Sequence, residues 1–464
     1  MPHRLTLAEM REQIRSRRLS PVELMDAHLQ QIAKRNPQVN AFVRLFEEDA
    51  RAAAKKAEGQ NGGPLHGIPV TIKDSLHVAG SPTLVGSRFS PAQNAAKDSA
   101  VAARLKAAGA IVVGKTNCPE FLMNYETDNY ITGRTNNPWD LERTPGGSSG
   151  GESAAIAACM SAGGIGSDAG GSIRIPAHCT GIAGLKPTPG RISGAGHAPS
   201  VGNPGGMLGV VGPMARTAED LRIMFDVLAG YDIDDPFSVP LPISTACISA
   251  IRVGVMEQFY DVPVQPVMRK AVQAAVAALN ELRIPNAPFK PVGLERAPNI
   301  WWFFFGEMNA PFIRKVIEGR EGEAHPIGLE WVNTVPPDRN ITGVEVVEKF
   351  AIRDRMRAAL LEQMEKYPVL LTPACGVPAW HHRERRWKTD QKDIGLLQAM
   401  MPATMFNITS LPAVTIPFGM TDEGIPVSIQ IAGRPFEEEV VLEVAQALER
   451  VRGPFPVLDP SPTV

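Results

Sequence analysis

The chain has 464 residues, of which 44% are hydrophobic and 21% are charged, and its formal net charge is −2. This composition indicates a globular protein with a large core, and the well-mixed charges give no sign of a basic stripe for nucleic acid or an anionic membrane. The five cysteines form no C-x-x-C pair, and each is expected to be a small buried residue. The N-terminus lacks an apolar signal core, and no apolar run reaches the ~18 residues of a membrane span. We therefore expect a cytoplasmic protein that binds neither nucleic acid nor membrane.

The first 60 residues are expected to contribute N-terminal helices. Ser20, Pro21 and Glu23 form a capping box with proline at the first helical position. The sequence ELMDAHLQQIAKR, which starts at Glu23, has the apolar spacing of an amphipathic helix. Two helices are therefore predicted to precede the first strand of the core.

Helix and strand then alternate along the chain. The β-branched run at 70–72 predicts a buried strand that ends at Lys73. Residues 99–109 predict a helix that ends at a glycine, and residues 111–113 predict the next strand. This alternation indicates an α/β fold.

A glycine- and serine-rich segment, TPGGSSGGES at 144–153, interrupts this pattern. A flexible linker is the simplest explanation for such a composition. The segment is short, however, and leads directly into ESAAIAACMSA at 152–162, whose small residues on every face predict a buried helix. We therefore interpret its glycines as residues that shape the backbone.

The pattern changes between about residues 240 and 400, where proline-rich connections and five of the six tryptophans occur. Regular α/β pattern returns afterwards. LPAVTIPFG at 411–419 and PVSIQIAG at 426–433 predict two strands, and EEEVVLEVAQALERV predicts a helix after them.

Two motifs match nucleotide-binding loops. GAIVVGKT at 109–116 fits the P-loop pattern, but it follows a helix and consists of strand-forming residues, whereas a phosphate loop follows a strand and opens a helix. GIGSDA at 164–169 fits a relaxed dinucleotide fingerprint, but RIPAHCTGIAG at 174–184 is not expected to open a helix. A nucleotide-binding protein is therefore a disfavoured alternative.

The G-x-S-x-G pattern of a nucleophile elbow fits twice within 146–151. It would make Ser148 or Ser149 a nucleophile with His381 or His382 as the base. An elbow turns a strand into a helix, however, and the residues before 146 are loop-like. This mechanism stays open as a second possibility.

Several spaced motifs together resemble the amidase signature family. They are Lys73 after GIPVTI, GGSSGGES at 146–153, SDAGGSIRIPA at 167–177, GKTNCPEF, GRTNNPWD, GLKPTPGRIS, LPAVTIPFG and GIPVSIQIAG. The resemblance covers the chain outside 240–400 and implies an α/β/α fold, with a central mixed, twisted β-sheet flanked by helices. It implies a single domain over 1–464, with its signature core at 61–235, a substrate-shaping region at 240–400 and the rest of the core at 401–464.

The resemblance also implies a Ser–cis-Ser–Lys triad. Ser172 would attack a carbonyl carbon to form an acyl-enzyme, Ser148 on a non-proline cis peptide would relay the proton, and Lys73 would be the base. An ordinary lysine costs roughly 4–5 kcal/mol to make neutral at pH 7, and burial can lower its pKa by ~3–5 units. Lys73 ends an apolar strand, as such burial requires. No metal or cofactor is implied.

The same motifs suggest the residues around the triad. Backbone N–H groups of an oxyanion loop would come from Ala169, Gly170, Gly171 and Ser172. Residues that support the site would be Gly147, Ser149, Asp168 and Arg174, the last two through hydrogen bonds or an ion pair. Asn124 is a candidate substrate contact, with a structural loop role as the alternative. His66 and His178 lie near the motifs and are expected to be structural.

The implied function is hydrolysis of amide-type C–N bonds in a small molecule. The aromatic segment WWFFFGEMNAPF at 301–312 is either core or the wall of a substrate cleft, and the second reading favours bulky or aryl amides, with aryl carbamates or esters also possible. An alternative within the family is the amidase subunit of a tRNA-dependent amidotransferase, which releases ammonia from glutamine. We expect a monomer or homodimer.

Overall fold

The computed structural model describes residues 1–60, 62–200, 207–248 and 251–458. Thirteen strands lie in these ranges: β1 (Phe42–Leu45), β2 (Pro69–Lys73), β3 (Ile111–Thr116), β4 (Gly163–Asp168), β5 (Ala183–Lys186), β6 (Val210–Ala215), β7 (Val253–Val255), β8 (Asn286–Pro288), β9 (Val369–Pro373), β10 (Arg386–Lys388), β11 (Asp393–Gly395), β12 (Ala413–Met420) and β13 (Pro426–Gly433). Eleven of them form one sheet in the order β1-β3-β2-β4-β6-β5-β12-β13-β9-β7-β8, and β10 pairs with β11. The large sheet is mixed, because β2 runs parallel to β3 and β4 whereas β12 and β13 are antiparallel.

Helices cover both faces of the sheet. They are α1 (Leu7–Arg15), α2 (Pro21–Val39), α3 (Glu47–Ala57), α4 (Ala100–Ala107), α5 (Gly150–Ala157), α6 (Arg174–Thr180), α7 (Ala218–Leu228), α8 (Pro266–Glu281), α9 (Ala297–Trp302), α10 (Ala310–Ile317), α11 (Pro326–Leu329), α12 (Gly343–Gln363), α13 (Leu396–Ile408) and α14 (Glu438–Arg452). Side chains on a strand alternate between its two faces. Val414 of β12 accordingly joins a core with α8 and α14, whereas the adjacent Ala413 joins a core with α6. The expected α/β/α fold is confirmed.

Most of the elements predicted from the sequence are confirmed. Ser20 and Glu23 form both hydrogen bonds of the capping box at the start of α2. The strand predicted at 70–72 is β2, and the strand predicted at 111–113 is the first half of β3. The two strands and the helix predicted after residue 400 are β12, β13 and α14. None of the described helices combines the length and the apolar character that a membrane crossing requires.

Three local predictions were wrong. RIPAHCT forms α6, because Pro176 occupies the first turn, where its missing N–H has no helical partner to lose. The helix predicted at 152–162 is α5 and ends at Ala157, since the chain turns at Cys159 with φ 57°. Cys247 is exposed rather than buried.

Neither nucleotide-like motif forms a phosphate loop. GAIVVGKT enters β3, and its Lys115 is buried in an ion pair with Asp74, at 2.7 Å between Nζ and Oδ1. The first five residues of GIGSDA belong to β4, a strand that sequence reasoning did not recognise. Its glycines lack the β-branched side chains that identify strands, yet they leave room for α5 to pack against the strand.

The sheet places two signature segments at one edge. β2 and β4 are adjacent and parallel, with Ile72 opposite Ile165. Lys73 is the last residue of β2 and Asp168 the last of β4. The carboxyl ends of adjacent parallel strands lie at the same edge, which is where α/β proteins commonly build their sites.

Candidate active site

Lys73 is completely buried at the end of β2 and has three polar neighbours. Its Nζ lies 2.7 Å from Ser148 Oγ, 3.0 Å from Ser167 Oγ and 3.4 Å from the Ser167 carbonyl oxygen. An ammonium group donates three hydrogen bonds, whereas a neutral amine donates two and accepts one. The same three contacts therefore suit both protonation states, with Ser148 Oγ as acceptor in one and donor in the other.

Burial makes the neutral form of Lys73 accessible near neutral pH. Desolvation lowers its pKa from 10.5 to about 8, although the nearby groups of Cys118, Asp168 and Glu152 oppose the shift. Glu152 is itself buried, and burial raises its pKa to about 7. Lys73 therefore loses most of the barrier that an exposed lysine presents to general-base chemistry.

Ser148 lies on a cis peptide bond with Gly147, as the resemblance implied. The segment is packed so closely that a Cβ on Gly147 would lie 2.6 Å from the carbonyl oxygen of Asn124. Ser149, the next residue, donates its backbone N–H to the Ser172 carbonyl oxygen at 3.1 Å, and its Oγ contacts Ser167. The two serine-containing segments are thus joined directly.

Ser172 precedes α6 and is partly exposed, whereas Ser148 and Lys73 are buried. Ser148 and Ser172 line the same pocket. A hydrogen bond joins Lys73 to Ser148, and within the described ranges the Ser172 hydroxyl has no hydrogen-bond partner. The sequence-predicted triad residues therefore converge from β2, the glycine-rich loop and the turn before α6.

The loop 169–172 has a defined pattern of used and free N–H groups. Gly171 donates its N–H to Asp168 Oδ1 at 2.7 Å, so this N–H already has a partner. In the part of the chain that the structure describes, the N–H groups of Ala169, Gly170 and Ser172 make no backbone or side-chain hydrogen bond. Three of the four N–H groups predicted to bind an oxyanion are thus free to donate a hydrogen bond.

Asp168 and Arg174 form a completely buried ion pair beneath this loop. Two bonds of 3.0 Å join the guanidinium to the two carboxylate oxygens, from Nε to Oδ2 and from Nη2 to Oδ1. Burial alone would raise the pKa of Asp168, but the charge and hydrogen bonds of Arg174 outweigh it and hold this pKa well below its usual range. Asn407 and Gln430 complete the hydrogen bonds of the pair. Asp168 and Arg174 are thus joined both by hydrogen bonds and as an ion pair, and their role in supporting the loop stays a prediction.

An apolar pocket of about 590 Å³ adjoins Ser148 and Ser172. Its apolar wall includes Phe89, Pro91, Phe121, Leu122, Met123, Leu208, Phe304, Phe305, Met308, Phe312, Ile313 and Val316. Among the described lining residues no lysine or arginine occurs, and the one carboxylate is that of Asp168, which is bound to Arg174. A larger cavity of about 1070 Å³ lies around Arg104, and neither Ser148 nor Ser172 lines it.

Three other polar residues singled out from the sequence, Asn124, His66 and His178, do not line the pocket of Ser148 and Ser172. The side-chain amide of Asn124 donates hydrogen bonds to the Ile327 carbonyl oxygen at 3.0 Å and to Glu330 Oε2 at 2.9 Å. The role of Asn124 as a substrate contact stays a prediction. His66 and His178 bond to the carbonyl oxygens of Ala57 and Val377, as expected of structural residues.

Histidines considered as bases are not beside the serines. Neither His381 nor His382 is among the residues that line the pocket. His197 does line it, but its Nδ1 is bonded to the Pro199 carbonyl oxygen at 2.7 Å, and burial lowers its pKa to about 4. The arrangement offers Lys73 as the buried base next to a serine hydroxyl.

Sequence reasoning missed three residues of this region. Ser167 contacts Lys73 and lies inside the motif SDAGGSIRIPA, so its position next to Asp168 was the available signal. Tyr125 donates its hydroxyl to the Gly170 carbonyl oxygen at 2.7 Å, and Trp301 donates its indole N–H to the Ala169 carbonyl oxygen at 2.8 Å. No local pattern could have identified a contact between residues as far apart as Trp301 and Ala169.

Comparisons with known proteins agree with this geometry. A model of the amidase family matches residues 23–442. An amidase of Pseudomonas putida is 34% identical over an alignment 465 positions long, which covers 96% of this chain and 96% of that protein. A glutamyl-tRNA(Gln) amidotransferase subunit of Roseiflexus sp. (strain RS-1) is 33% identical over an alignment 492 positions long, which covers 97% of this chain and 96% of the relative.

A solved structure gives the same result. It comes from work on a vestigial protein complex and the evolutionary origins of an s-triazine catabolic enzyme, and it superimposes with a TM-score of 0.89 and 26% identity over 98% of this chain and 100% of that one. The chain therefore belongs to the amidase family, in agreement with the resemblance to its signature motifs. It is an amidohydrolase that cleaves C–N bonds.

Proposed function

We propose that the protein hydrolyses amides with a bulky apolar or aryl group through an acyl-enzyme on Ser172. The observation that carries the proposal is the buried contact of 2.7 Å between Lys73 Nζ and Ser148 Oγ, beside an apolar pocket that Ser172 also lines. Such a contact supports proton transfer through Ser148, and the pocket supports an apolar substrate.

In the proposed reaction, a bond forms between Ser172 Oγ and the carbonyl carbon as the Ser172 proton passes to Ser148 Oγ. Ser148 in turn gives its proton to the neutral Nζ of Lys73. The tetrahedral oxyanion accepts hydrogen bonds from free N–H groups among Ala169, Gly170 and Ser172. As the C–N bond breaks, Lys73 returns the proton through Ser148 Oγ to the leaving nitrogen. Water then attacks the acyl-enzyme and gives a proton through Ser148 to Lys73, and the acid leaves as the bond to Ser172 Oγ breaks and Ser172 regains its proton.

Ser148 and Ser172 must come within hydrogen-bond distance for the first step. Catalytic hydrogen bonds are often formed only when substrate is bound. Ser172 is partly exposed and has no competing partner in the described part of the chain, so a change in its side-chain rotamer costs no existing hydrogen bond.

The test is the release of arylamine from an aryl amide and from a matched aryl carbamate. We compare the wild type with Ser172→Ala, Ser148→Ala and, as a control within the same glycine-rich motif, Ser153→Ala. Turnover by the wild type and the control with collapse of the first two variants supports the triad, and the ratio of the two substrates identifies the carbonyl class. Unchanged turnover by Ser172→Ala would refute Ser172 as the nucleophile and favour a nucleophile elbow.

A second candidate is ammonia release from glutamine in an amidotransferase complex, which the name of the Roseiflexus relative supports. The α-carboxylate of glutamine calls for a cationic partner, and none of the described residues that line the pocket is a lysine or arginine. Glutaminase activity above the aryl amide rate, with partner subunits that copurify, would favour this candidate over ours.

A further inference from the structure

Trp301 and Tyr125 hold two consecutive carbonyl groups of the loop that carries Ser172. The Trp301 indole N–H donates to the Ala169 carbonyl oxygen at 2.8 Å, and the Tyr125 hydroxyl donates to the Gly170 carbonyl oxygen at 2.7 Å. Because the C=O and N–H of a trans peptide point in opposite directions, the first bond turns the Gly170 N–H away from Trp301. Trp301 is buried and does not line the pocket, whereas Ala169 does, and the Gly170 N–H, which has no hydrogen-bond partner in the described structure, is directed to the side of the peptide opposite the buried indole.

The fit between Trp301 and the loop is tight. A Cβ on Gly170 would lie 2.5 Å from Trp301 Cζ2, so the peptide rests directly on the indole ring. A movement of the ring therefore moves the peptide. This coupling is steric as well as through the hydrogen bond.

Another neighbour of Trp301 is Phe305, which lines the pocket. The Phe305 ring stacks on the Trp301 ring, with centroids 4.6 Å apart and planes inclined by 15°, and Phe305 is partly exposed where it lines the pocket with Ser148 and Ser172. Trp301 lies near the end of α9, and Phe305 lies four residues later, in the π-helical turn Phe303–Glu307 that continues it. Residues at this spacing meet on one helix face, and π-helical turns are frequent at functional sites.

We propose that Phe305 and Trp301 couple occupancy of the apolar pocket to the orientation of the Gly170 N–H. A bulky group of the substrate packs on Phe305, fixes the stacked pair and so holds the Ala169–Gly170 peptide with its N–H toward the oxyanion. A small substrate does not contact Phe305, so its binding does not fix the stacked rings or the orientation of the Gly170 N–H. The inference rests on the proposed function, and it makes Trp301 a positioning residue supplied by the region between 240 and 400.

The coupling predicts which kinetic constant changes. Loss of the Trp301 N–H removes one neutral hydrogen bond to the loop, which corresponds to about a tenfold loss of rate. An oxyanion is present only beyond the ground state, so this loss belongs to kcat while KM stays the same. Substitution of a residue that only lined the pocket would instead raise KM.

The test uses acetyl and phenylacetyl para-nitroanilides with the wild type and two variants. Trp301→Phe keeps an aromatic ring and removes the N–H, and Phe305→Leu keeps apolar volume and removes the stack. Trp387→Phe is the matched control, since Trp387 is buried and its indole N–H has no partner in the described structure. Melting temperatures near that of the wild type establish that each variant folds.

The expected result is a fall of about tenfold in kcat for the phenylacetyl substrate in both variants, with KM within about twofold and little change for the acetyl substrate. The double variant should lose no more than either single variant, because both act through one chain of contacts. Equal losses on both substrates, a change in KM alone, or kinetics like those of Trp387→Phe would each overturn the coupling.

A second readout separates this inference from the proposed function. Fluorophosphonates with a phenylalkyl or a methyl group form a bond from phosphorus to Ser172 Oγ and release fluoride, and mass spectrometry locates the label. If the wild type is not labelled at Ser172, the proposed function fails and the coupling fails with it. If Ser172 is labelled but Trp301→Phe leaves the ratio of the two labelling rates unchanged, the coupling alone is refuted.

Discussion

Replacing Lys73 by methionine should stabilise the protein while abolishing its activity. Lys73 and Lys115 are both buried near the same edge of the sheet, but their surroundings differ in charge. Lys115 forms an ion pair with Asp74 at 2.7 Å, whereas within the described ranges Lys73 has no carboxylate at ion-pair distance. The two lysines therefore form a matched pair for measuring what an uncompensated buried charge costs.

The magnitude follows from the pKa of Lys73. Burial lowers it from 10.5 in the ordinary state to about 8, a difference worth about 3 kcal/mol. Below about pH 8 both the folded and unfolded states hold the proton, and the folded state bears the whole cost. Between about pH 8 and 10.5 the folded state releases its proton first, so wild-type stability rises with pH and the cost disappears above that window.

Lys73→Met should thus gain up to about 3 kcal/mol near neutral pH, reduced by about 1 kcal/mol for each hydrogen bond lost with Ser148 and Ser167. With the bonds to the Ser148 and Ser167 hydroxyls both lost, a net gain of about 1 kcal/mol is expected near neutral pH, and it should become a loss of about 2 kcal/mol above about pH 10.5, where the charge no longer contributes. Lys115→Met leaves Asp74 buried without its partner and should lose about 3–5 kcal/mol.

The assay is denaturant unfolding of the wild type and both variants at about pH 7 and about pH 10, with amide hydrolysis measured in parallel. Loss of activity in Lys73→Met together with a higher unfolding midpoint near neutral pH supports the reasoning. If Lys73→Met is destabilised as strongly as Lys115→Met, Lys73 does not carry an uncompensated charge, and the account of its pKa is refuted.

Three further predictions concern the same site. Ser172→Ala should lower kcat by about 10⁴-fold or more with an unchanged melting temperature, whereas preserved turnover would exclude Ser172 as the nucleophile. The kcat/KM of the wild type should rise with pH and level off above about 8, since only neutral Lys73 accepts a proton, and a profile that is flat through this range would contradict that role. Arg174→Gln leaves Asp168 buried without its cation and should cost about 3–5 kcal/mol in denaturant unfolding; a loss below about 1 kcal/mol would mean that Asp168 is satisfied otherwise.

The elements that could be predicted from the sequence are those with a local signal, either β-branched residues in a buried strand or capping residues at the start of a helix. β2 and β3 were identifiable because their β-branched residues are buried, and α2 because its capping residues make the expected hydrogen bonds. β4 was missed because its glycines accommodate a neighbouring helix and so carry no strand signal. α6 was missed because proline indicates a break, except in the first turn of a helix.

The candidate site likewise has a part that the sequence predicts and a part that it leaves open. Lys73, Ser148 and Ser172 were predicted because they lie in motifs, and their convergence follows from the parallel pairing of β2 with β4. The aromatic segment could not be resolved from sequence, since Trp301 belongs to the core whereas Phe305 lines the pocket. The segment therefore contributes both to the core and to the lining of a pocket, through different residues of one helical turn.

This division has a consequence for how substrate preference can change. If the region between 240 and 400 only formed the pocket wall, its residues could be exchanged to change KM and leave the chemical step intact. In this chain the same region supplies Trp301, whose N–H holds the peptide before Gly170. On the coupling proposed above, a substitution at Phe305 that reshapes the pocket also disturbs its stack on Trp301 and the peptide that Trp301 holds, so specificity and kcat should change together.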